Sequence, residues 1–266
     1  MNKIGFIGGG NMAQAIITGI LKGSESFEIL VFEPSADRQI QLKEEFKEIT
    51  FVENNRDLIK QNCDAIILAV KPQILPLVLE EIKPKSDNQI LVSIAAGVTV
   101  ETIKSYCPQA KVVRVMPNTP FLVMEGCGGI TFDSSLNQTE KDLVLNIFES
   151  SGQLIEVPES KMHIITALSG SGPAYIFKIA ENMIQAGIDY GLTLEEAKLL
   201  SAQTITGAGI LLKSSDLSAE QLRINVTSPN GTTEAALNKM DQLNLNTAIQ
   251  EGIKAAVNRS NELANN

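Results

Sequence analysis

The segment IGFIGGGNMAQAI, residues 4–16, constrains the fold more than any other part of the chain. A β-branched apolar run enters a glycine cluster, and a helical pattern follows at once. Within the cluster, Gly8, Gly10 and Ala13 have the spacing G-x-G-x-x-A. The first glycine permits a tight turn, the second lets the backbone approach a pyrophosphate, and the alanine lets the helix pack closely on the strand. This context predicts a dinucleotide-binding βαβ unit with the phosphates at the helix N-terminus.

The chain up to about residue 155 alternates short apolar runs with helical patterns, which is typical of a doubly wound α/β sheet. The apolar runs read KIGFIG, FEILVFE, DAIILAV, QILVSIAA, KVVRVM, GGITF and, last, LIEVP. Continuously apolar strands are expected where helices cover both faces of a parallel sheet. We therefore predict an N-terminal Rossmann-type domain of residues 1–158.

Residues 159–266 contain no convincing strand and predict an all-α C-terminal domain. One of its helical segments, LEEAKLLSAQTITGAGILLKS, is apolar around nearly its whole circumference, so it requires burial on every side. Roughly a hundred helical residues bury too little surface by themselves to provide this cover. We expect a second subunit to complete the domain, and the alternative is an ordinary monomeric bundle.

Composition excludes several classes of function. The net charge of −9 argues against a nucleic-acid-binding stripe, and no uncharged apolar run reaches the roughly 18 residues of a membrane span. The N-terminus superficially resembles a signal peptide, but it lacks a clear cleavage site. Three scattered cysteines and one histidine indicate neither a disulfide framework nor a metal site. We expect a cytoplasmic protein without metal, nucleic-acid partner or membrane anchor.

The end of the second predicted strand bears on the choice of cofactor. An acidic residue there, in this chain Glu33, normally binds the adenosine ribose 2′-hydroxyl and repels a 2′-phosphate, which favours NADH. Ser35 and Arg38 follow and offer a hydroxyl and a cation for a 2′-phosphate, although charged helix residues usually face water. The sequence leaves the choice between NADH and NADPH open.

Small residues and an Asn follow three other predicted strands, in AVKPQ (69–73), SIAAGVT (93–99) and MPNTP (116–120). The carboxyl ends of parallel strands meet at one edge of a sheet, where ligands bind in such folds. Asn118 alone could be a turn residue. Several strand ends of the same character predict a cofactor that lies across this edge.

A late helix begins with an unusual number of groups able to hold an anion, in NVTSPNGTTEAALNKM (225–240). An N-cap alone requires one Ser or Thr. Here Ser228, Gly231, Thr232 and Thr233 stand together, which predicts a second anion site at a helix N-terminus.

The segments IGFIGGGNMAQAI, AVKPQ, SIAAGVT, MPNTP, ALSGSGPAY and VTSPNGTTEAAL, in this order, resemble the pyrroline-5-carboxylate reductases of proline biosynthesis. The last two are the specific part of a resemblance that extends over nearly the whole chain. It implies NAD(P)H-dependent reduction of 1-pyrroline-5-carboxylate to L-proline, by hydride transfer to a cyclic imine carbon. It also implies a homodimer that interlocks through the helical domain, with dimers often assembling into decamers.

The resemblance also implies site residues. Thr232 is the catalytic residue, which hydrogen-bonds the ring nitrogen, and substrate is bound by Glu159, Gly231, Thr232 and Thr233. Cofactor is bound by Ile7, Gly8, Gly9, Gly10, Asn11, Met12, Ser35, Asn55, Ala69, Val70, Lys71, Pro72, Ala96 and Asn225. The family resemblance slightly favours NADPH.

Three residues depart from the family pattern. Asn230 stands in a loop that usually reads Pro-Gly-Gly, and we expect the loop to keep its shape because Asn tolerates a left-handed backbone. His163 stands where Asp is common, which puts the region around Glu159 in doubt, and we interpret this histidine as structural. Glu33 puts the usual NADPH preference in doubt.

A protonated cyclic imine is already a good electrophile, so its reduction needs positioning more than acid–base catalysis. We expect the amides around Gly231 and Thr232, with the Thr233 hydroxyl, to hold the substrate carboxylate, and Thr232 to orient the ring nitrogen.

Two alternatives remain open at this point. A β-hydroxyacid dehydrogenase would use a helix Lys followed four residues later by Asn, a spacing that Lys178 and Asn182 have. That reading leaves the S-P-N-G-T-T loop unexplained. A non-catalytic dinucleotide-sensing module would need the glycine turn but not the second anion site.

Overall fold

A computed structural model describes residues 1–23, 26–83 and 88–264 of the chain. It divides into two compact units, one of Met1–Ser171 with Ala256–Asn266 and one of Gly172–Ala255. By packing, the first unit therefore extends beyond the predicted domain boundary at residue 158, and it also includes the C-terminal residues. The predicted domain division at residue 158 stays a prediction. The last two residues of the predicted C-terminal domain, 265–266, lie outside the described part of the chain.

The described strands of the first unit form one eight-stranded sheet in the order β3-β2-β1-β4-β5-β6-β7-β8. The strands are β1 (Asn2–Ile7), β2 (Phe27–Phe32), β3 (Ile49–Phe51), β4 (Ala65–Leu68), β5 (Ile90–Ser93), β6 (Lys111–Met116), β7 (Gly126–Phe132) and β8 (Gly152–Glu156). The first six are parallel, and their order reverses between β1 and β4, which creates the crevice where such folds bind ligands. The predicted Rossmann-type fold is confirmed.

Two features of the sheet differ from the sequence expectation. β7 pairs with β6 in antiparallel orientation, because the connection of residues 117–125 is too short for the crossover that a parallel pair requires. Strand β3 was not predicted, since three residues are too few to show an alternating pattern. It is defined instead by its pairing with β2.

Helices cover both faces of the sheet in the first unit. They are α1 (Asn11–Lys22), α2 (Ala36–Glu45), α3 (Asn55–Ile59), α4 (Leu75–Ile82), α5 (Val100–Tyr106), α6 (Gln138–Glu149) and α7 (Met162–Ile165), the last followed by a π-helical turn, Thr166–Gly170. On β1, Ile4 and Phe6 pack in one hydrophobic cluster with α1 and α6. Ile7 packs on the opposite face, with α3, α4 and α5. Both faces are buried, which explains why the strand reads as a continuous apolar run.

The second unit consists of helices and their connections, with no strand among its described residues. It contains α8 (Gly172–Asp189), α9 (Leu194–Ser214), α10 (Ala219–Asn225), α11 (Thr232–Gln242) and most of α12 (Leu245–Ala264). Within one chain α9 buries only Ala197 and Ser201, while Leu199 and Ile210 are 68% and 61% exposed. The helix therefore has the uncovered apolar surface that the sequence indicated. Among the described helices, none is both long and apolar enough to cross a membrane.

Helix α9 begins with a capping box that can be tested directly. The Glu196 amide donates to Thr193 Oγ1 at 3.2 Å, and the Thr193 amide donates to Glu196 Oε2 at 2.8 Å. We expect Thr193→Ala to lower the free energy of unfolding by about 1 kcal/mol, because one helix-end amide loses its acceptor. Urea unfolding followed by circular dichroism measures this loss. Thr193→Ser keeps the hydroxyl as the control, and an equal loss in both variants would contradict the cap.

Candidate active site

The turn between β1 and α1 leaves a helix N-terminus open to a ligand. Gly8 has φ of +97°, and a Cβ there would lie 2.6 Å from the carbonyl oxygen of Ala69, so only glycine fits. Gly10 is the N-cap of α1, and no side chain caps the helix there. The amides of the first turn are thus free of side-chain acceptors, as a bound phosphate requires.

A cleft of about 240 Å³ lies beside this turn, and it brings together four of the predicted cofactor residues. These are Ile7, Gly8, Asn55 and Val70, and the other lining residues are Phe32, Pro34, Ile74, Leu77, Val78 and Glu81. The cleft lies at the carboxyl ends of β1, β2 and β4, where the strand order reverses. Its apolar walls with a few polar groups suit the adenosine end of a dinucleotide.

Asn55, which lines this cleft, has a buried hydrogen-bond acceptor that is not satisfied. The side chain is 5% exposed, and its Nδ2 donates to Glu81 Oε2 at 2.8 Å. In the part of the chain that the structure describes, Asn55 Oδ1 is buried without a partner. A buried acceptor left unpaired costs about 1–3 kcal/mol, which a donor on a bound ligand removes. The residues present therefore fit a dinucleotide.

The remaining predicted cofactor residues of the first unit also follow sheet strands. Gly9, Asn11 and Met12 belong to the turn and first residues of α1, and Ser35 is the N-cap of α2. Ala69, Val70, Lys71 and Pro72 follow β4, and Ala96 follows β5. Asn225 instead ends α10 in the second unit, where its Oδ1 accepts a hydrogen bond from Gln221 at 2.9 Å.

Arg38 is a residue whose part in the turn the sequence did not reveal. Its Nε donates to the carbonyl oxygen of Gly9 at 2.7 Å, and its Nη2 donates to Gln14 Oε1 at 2.6 Å. The sequence offered a phosphate ligand or an exposed charge at this position. The half-buried guanidinium instead holds the glycine turn to α2, a contact between residues far apart in the chain that no local pattern encodes.

The loop before α11 forms the second open helix start, in the second unit. Asn230 has φ of +59°, a left-handed conformation that Asn tolerates, as expected. A Cβ on Gly231 would lie 2.9 Å from the Ser228 carbonyl oxygen and 2.4 Å from Ser228 Oγ, so glycine suits the close packing there. Gly231 is the N-cap of α11, and no side chain caps the helix.

Thr232 and Thr233 are the first two residues of α11. Thr232 is exposed and Thr233 is half-buried. The hydrogen bonds found among the described residues do not engage either hydroxyl. Both hydroxyls are therefore free to bind a small molecule at this helix start.

Glu159, a predicted substrate residue, lies in the first unit and already holds protein groups there. Its Oε1 accepts from the Val100 amide at 2.8 Å and from Arg114 Nη1 at 3.2 Å. Arg114 is 1% exposed, and burial lowers the pKa of its guanidinium, although the Glu159 carboxylate opposes this shift. A buried charge needs such a partner. The sequence hinted at this ion pair only through Arg114, a charged residue inside the apolar strand KVVRVM.

His163 lies beside this ion pair and has a partner of its own. Its Nδ1 is 3.0 Å from the Oγ of Ser260, which is buried. Burial lowers the pKa of the imidazole, and the positive charge of Arg114 lowers it further, while Glu159 acts in the opposite direction. The neutral, hydrogen-bonded ring fits the structural interpretation of this histidine.

Comparison with known proteins places the chain in a family. Residues 3–97 match the model described as NADP oxidoreductase coenzyme F420-dependent, and residues 159–263 match pyrroline-5-carboxylate reductase dimerisation. A pyrroline-5-carboxylate reductase of Pasteurella multocida is 40% identical over 98% of this chain and 97% of that protein. The chain belongs to the pyrroline-5-carboxylate reductase family. The resemblance drawn from the sequence segments is thus confirmed.

Solved structures of pyrroline-5-carboxylate reductases have the same fold. The enzyme of Coxiella burnetii is 39% identical, covers 98% of both chains and superposes with a TM-score of 0.89. The enzyme of Plasmodium falciparum, solved with NADP bound, is 33% identical, covers 99% of this chain and 98% of that one, and has the same TM-score.

Membership in the pyrroline-5-carboxylate reductase family replaces the β-hydroxyacid dehydrogenase alternative. Lys178, which that alternative requires as a catalytic group, is exposed on α8 and donates to Glu181 Oε2 at 3.0 Å. Asn182 donates to the carbonyl oxygen of Lys178 at 2.7 Å. Both side chains make contacts that are ordinary for a helix surface.

The lowered pKa of His163 predicts how stability depends on pH. The folded protein binds this proton less readily than the unfolded chain, whose reference pKa is 6.5. The stabilisation is therefore fully present above this value and is lost as the pH falls through the lower folded pKa. We expect the thermal unfolding midpoint to fall between about pH 7.5 and pH 5.5.

His163→Gln should make this pH dependence shallower, and scanning calorimetry across the range measures the slope. His163 is the one histidine of the sequence, so no other imidazole contributes. An equally steep dependence in the variant would show that another group is responsible.

Proposed function

We propose that this chain reduces 1-pyrroline-5-carboxylate to L-proline with a reduced nicotinamide dinucleotide. The observation that carries the proposal is the open start of α11, where Gly231 precedes two threonines and no side chain caps the helix. A helix end of this kind favours an anion, and the carboxylate of a small acid is one such ligand. Relatives named pyrroline-5-carboxylate reductase, similar along nearly the whole chain, support the same substrate.

In this proposal the second unit binds the imine. The substrate carboxylate accepts hydrogen bonds from the Thr232 amide and the Thr233 hydroxyl, next to Gly231, whose own amide donates to the Ser228 carbonyl oxygen at 3.0 Å. The Thr232 hydroxyl, free of other partners in the described chain, hydrogen-bonds the ring nitrogen and fixes the orientation of the C=N bond. An aliphatic hydroxyl is a weak acid, so its contribution is orientation more than proton donation.

The first unit holds the cofactor. Residues 7–12 bind the pyrophosphate, Asn55 pairs with a donor of the adenosine part, and Ser35, the segment 69–72 and Ala96 line the strand ends. Asn225, on the second unit, completes the proposed set, and Glu159 contributes to the substrate site. When bound, the reduced nicotinamide supplies the hydride. The chain's own residues position the cofactor and the substrate and polarise the C=N bond.

The chain carries the dimerisation region of its family, so it belongs to proteins that associate through this region. We further propose a homodimer, and dimers that assemble into decamers, formed through the apolar surface of α9. A cytoplasmic location and the absence of a nucleic-acid partner complete the proposal, the latter supported by the net charge of −9.

Thr232→Ala tests the catalytic assignment. We expect turnover of 1-pyrroline-5-carboxylate to fall roughly 10- to 1000-fold with little change in cofactor affinity, because the ring nitrogen loses its orienting partner. A spectrophotometric assay with each reduced cofactor, together with calorimetric cofactor titration, measures both quantities.

Thr139→Ala is the matched control, since Thr139 is an exposed hydroxyl residue in the first turn of α6. Near-wild-type turnover in Thr232→Ala would contradict the assignment of Thr232 as the catalytic residue. A wild-type chain that binds cofactor but reduces no imine would restore the dinucleotide-sensing alternative.

Leu200→Asp tests association through α9. Leu200 is 56% exposed within one chain, so a carboxylate there disturbs little inside the subunit but is costly in an apolar interface. Light scattering coupled to size exclusion should show a smaller oligomer for this variant. Ile40→Asp, at a side chain 55% exposed on α2, is the control and should leave the oligomer unchanged. Equal masses for all three proteins would place the interface elsewhere.

A further inference from the structure

We infer that Glu33 makes this chain prefer NADH over NADPH. The inference rests on the proposed function only in that the first unit binds a nicotinamide dinucleotide. It decides the question that the sequence left open, because the structure shows what Glu33 and Arg38 bind.

The Glu33 carboxylate is fixed by the backbone on both of its oxygens. The Gly9 amide donates to Oε2 at 2.7 Å, and the Ser35 amide donates to Oε1 at 2.9 Å. The side chain is half-buried, so it cannot turn towards solvent without breaking both hydrogen bonds. Each carboxylate oxygen keeps a second lone pair for another donor.

Glu33 stands at the end of β2 next to residues that line the cleft, although its own side chain is not part of the lining. Its chain neighbours Phe32 and Pro34 line the cleft, and Gly9, which binds it, follows the lining residue Gly8. A ribose 2′-hydroxyl can donate to the carboxylate, as in NAD-binding sites with an acid at this strand end. A 2′-phosphate can only accept, and its negative charge is repelled by the carboxylate.

Arg38, the cation that could offset this repulsion, already uses three of its five N–H donors within the protein. All three nitrogens of the Arg38 guanidinium donate, Nε to Gly9 O at 2.7 Å, Nη2 to Gln14 Oε1 at 2.6 Å and Nη1 to Gln41 Oε1 at 3.1 Å. Gln14 in turn donates to the Glu45 carboxylate at 2.5 Å, which adds negative charge to the same network. Withdrawing Arg38 to meet a phosphate would release the glycine turn that the pyrophosphate needs.

The two other polar groups nearby do not restore selectivity for a 2′-phosphate. The Ser35 hydroxyl accepts from the Arg38 amide at 3.4 Å as the N-cap of α2, and its proton can serve either a ribose hydroxyl or a phosphate. The Lys43 ammonium lies 4.9 Å from the centre of the Phe51 ring. Glu33 is therefore a carboxylate that the backbone holds in place, and neither nearby cation can move to a 2′-phosphate without breaking a contact that it already makes.

Calorimetric titration of the whole protein with NADH and with NADPH, without imine, tests the inference. We expect the wild-type chain to bind NADH at least about 10-fold more tightly, which corresponds to about 1.4 kcal/mol. Glu33→Gln keeps an acceptor for the Gly9 amide but removes the charge, so the preference should shrink at least about 5-fold, mainly through tighter NADPH binding. Glu28→Gln removes a charge from the other end of β2 and should leave the ratio unchanged.

A second measurement requires no variant. Wild-type protein should bind adenosine 5′-monophosphate more tightly than adenosine 2′,5′-bisphosphate, because only the latter places a phosphate against Glu33. Equal or tighter binding of the bisphosphate, or of NADPH, would overturn the inference. So would an unchanged ratio in a Glu33→Gln protein that keeps the wild-type unfolding midpoint.

The outcome is separable from that of the proposed reaction. A chain that reduces the imine but prefers NADPH overturns only the role of Glu33. A chain that selects NADH but reduces no imine overturns only the proposed reaction.

Discussion

The backbone amide and carbonyl of Gly9 are bound by side chains of opposite charge, and the ligand edge of the first unit depends on this arrangement. Glu33 at the end of β2 binds its amide, and Arg38 from α2 binds its carbonyl oxygen. The neighbouring Gly8 lies against the end of β4 so closely that no side chain fits. The turn is therefore shaped by three other elements before any ligand arrives, which lowers the ordering cost of binding.

Two helices, one in each unit, have a glycine at the N-cap and no side-chain cap. Helices α2, α3, α5, α6, α9 and α10 each begin with a Ser, Thr or Asn whose side chain caps an amide. Helices α1 and α11 begin with Gly10 and Gly231 and have no side-chain cap. A polar N-cap would occupy the amides that an anion needs. The glycines thus mark the two helices that serve ligands in the proposed reaction.

Much of the fold follows from local sequence. The glycine spacing in a strand–helix context predicted the nucleotide turn. The segment Leu194–Ser214, apolar around nearly its whole circumference, predicted a helix whose bounds the structure reproduces. Asn230 was expected to accept a left-handed backbone, and it has φ of +59°. Turn chemistry and periodicity depend on residues within a few positions of one another, so they can be read without the rest of the chain.

Tertiary structure decided what each polar side chain binds. Arg38 could equally have faced water or a phosphate, and only packing brought it to Gly9. Arg114 found its partner in Glu159, and the antiparallel β7 followed from the length of a connection. The sequence by itself determined most of the elements, the glycine turns and the family. The partners of its charges were decided by the fold, because contacts between residues far apart in the chain exist only after the sheet has assembled.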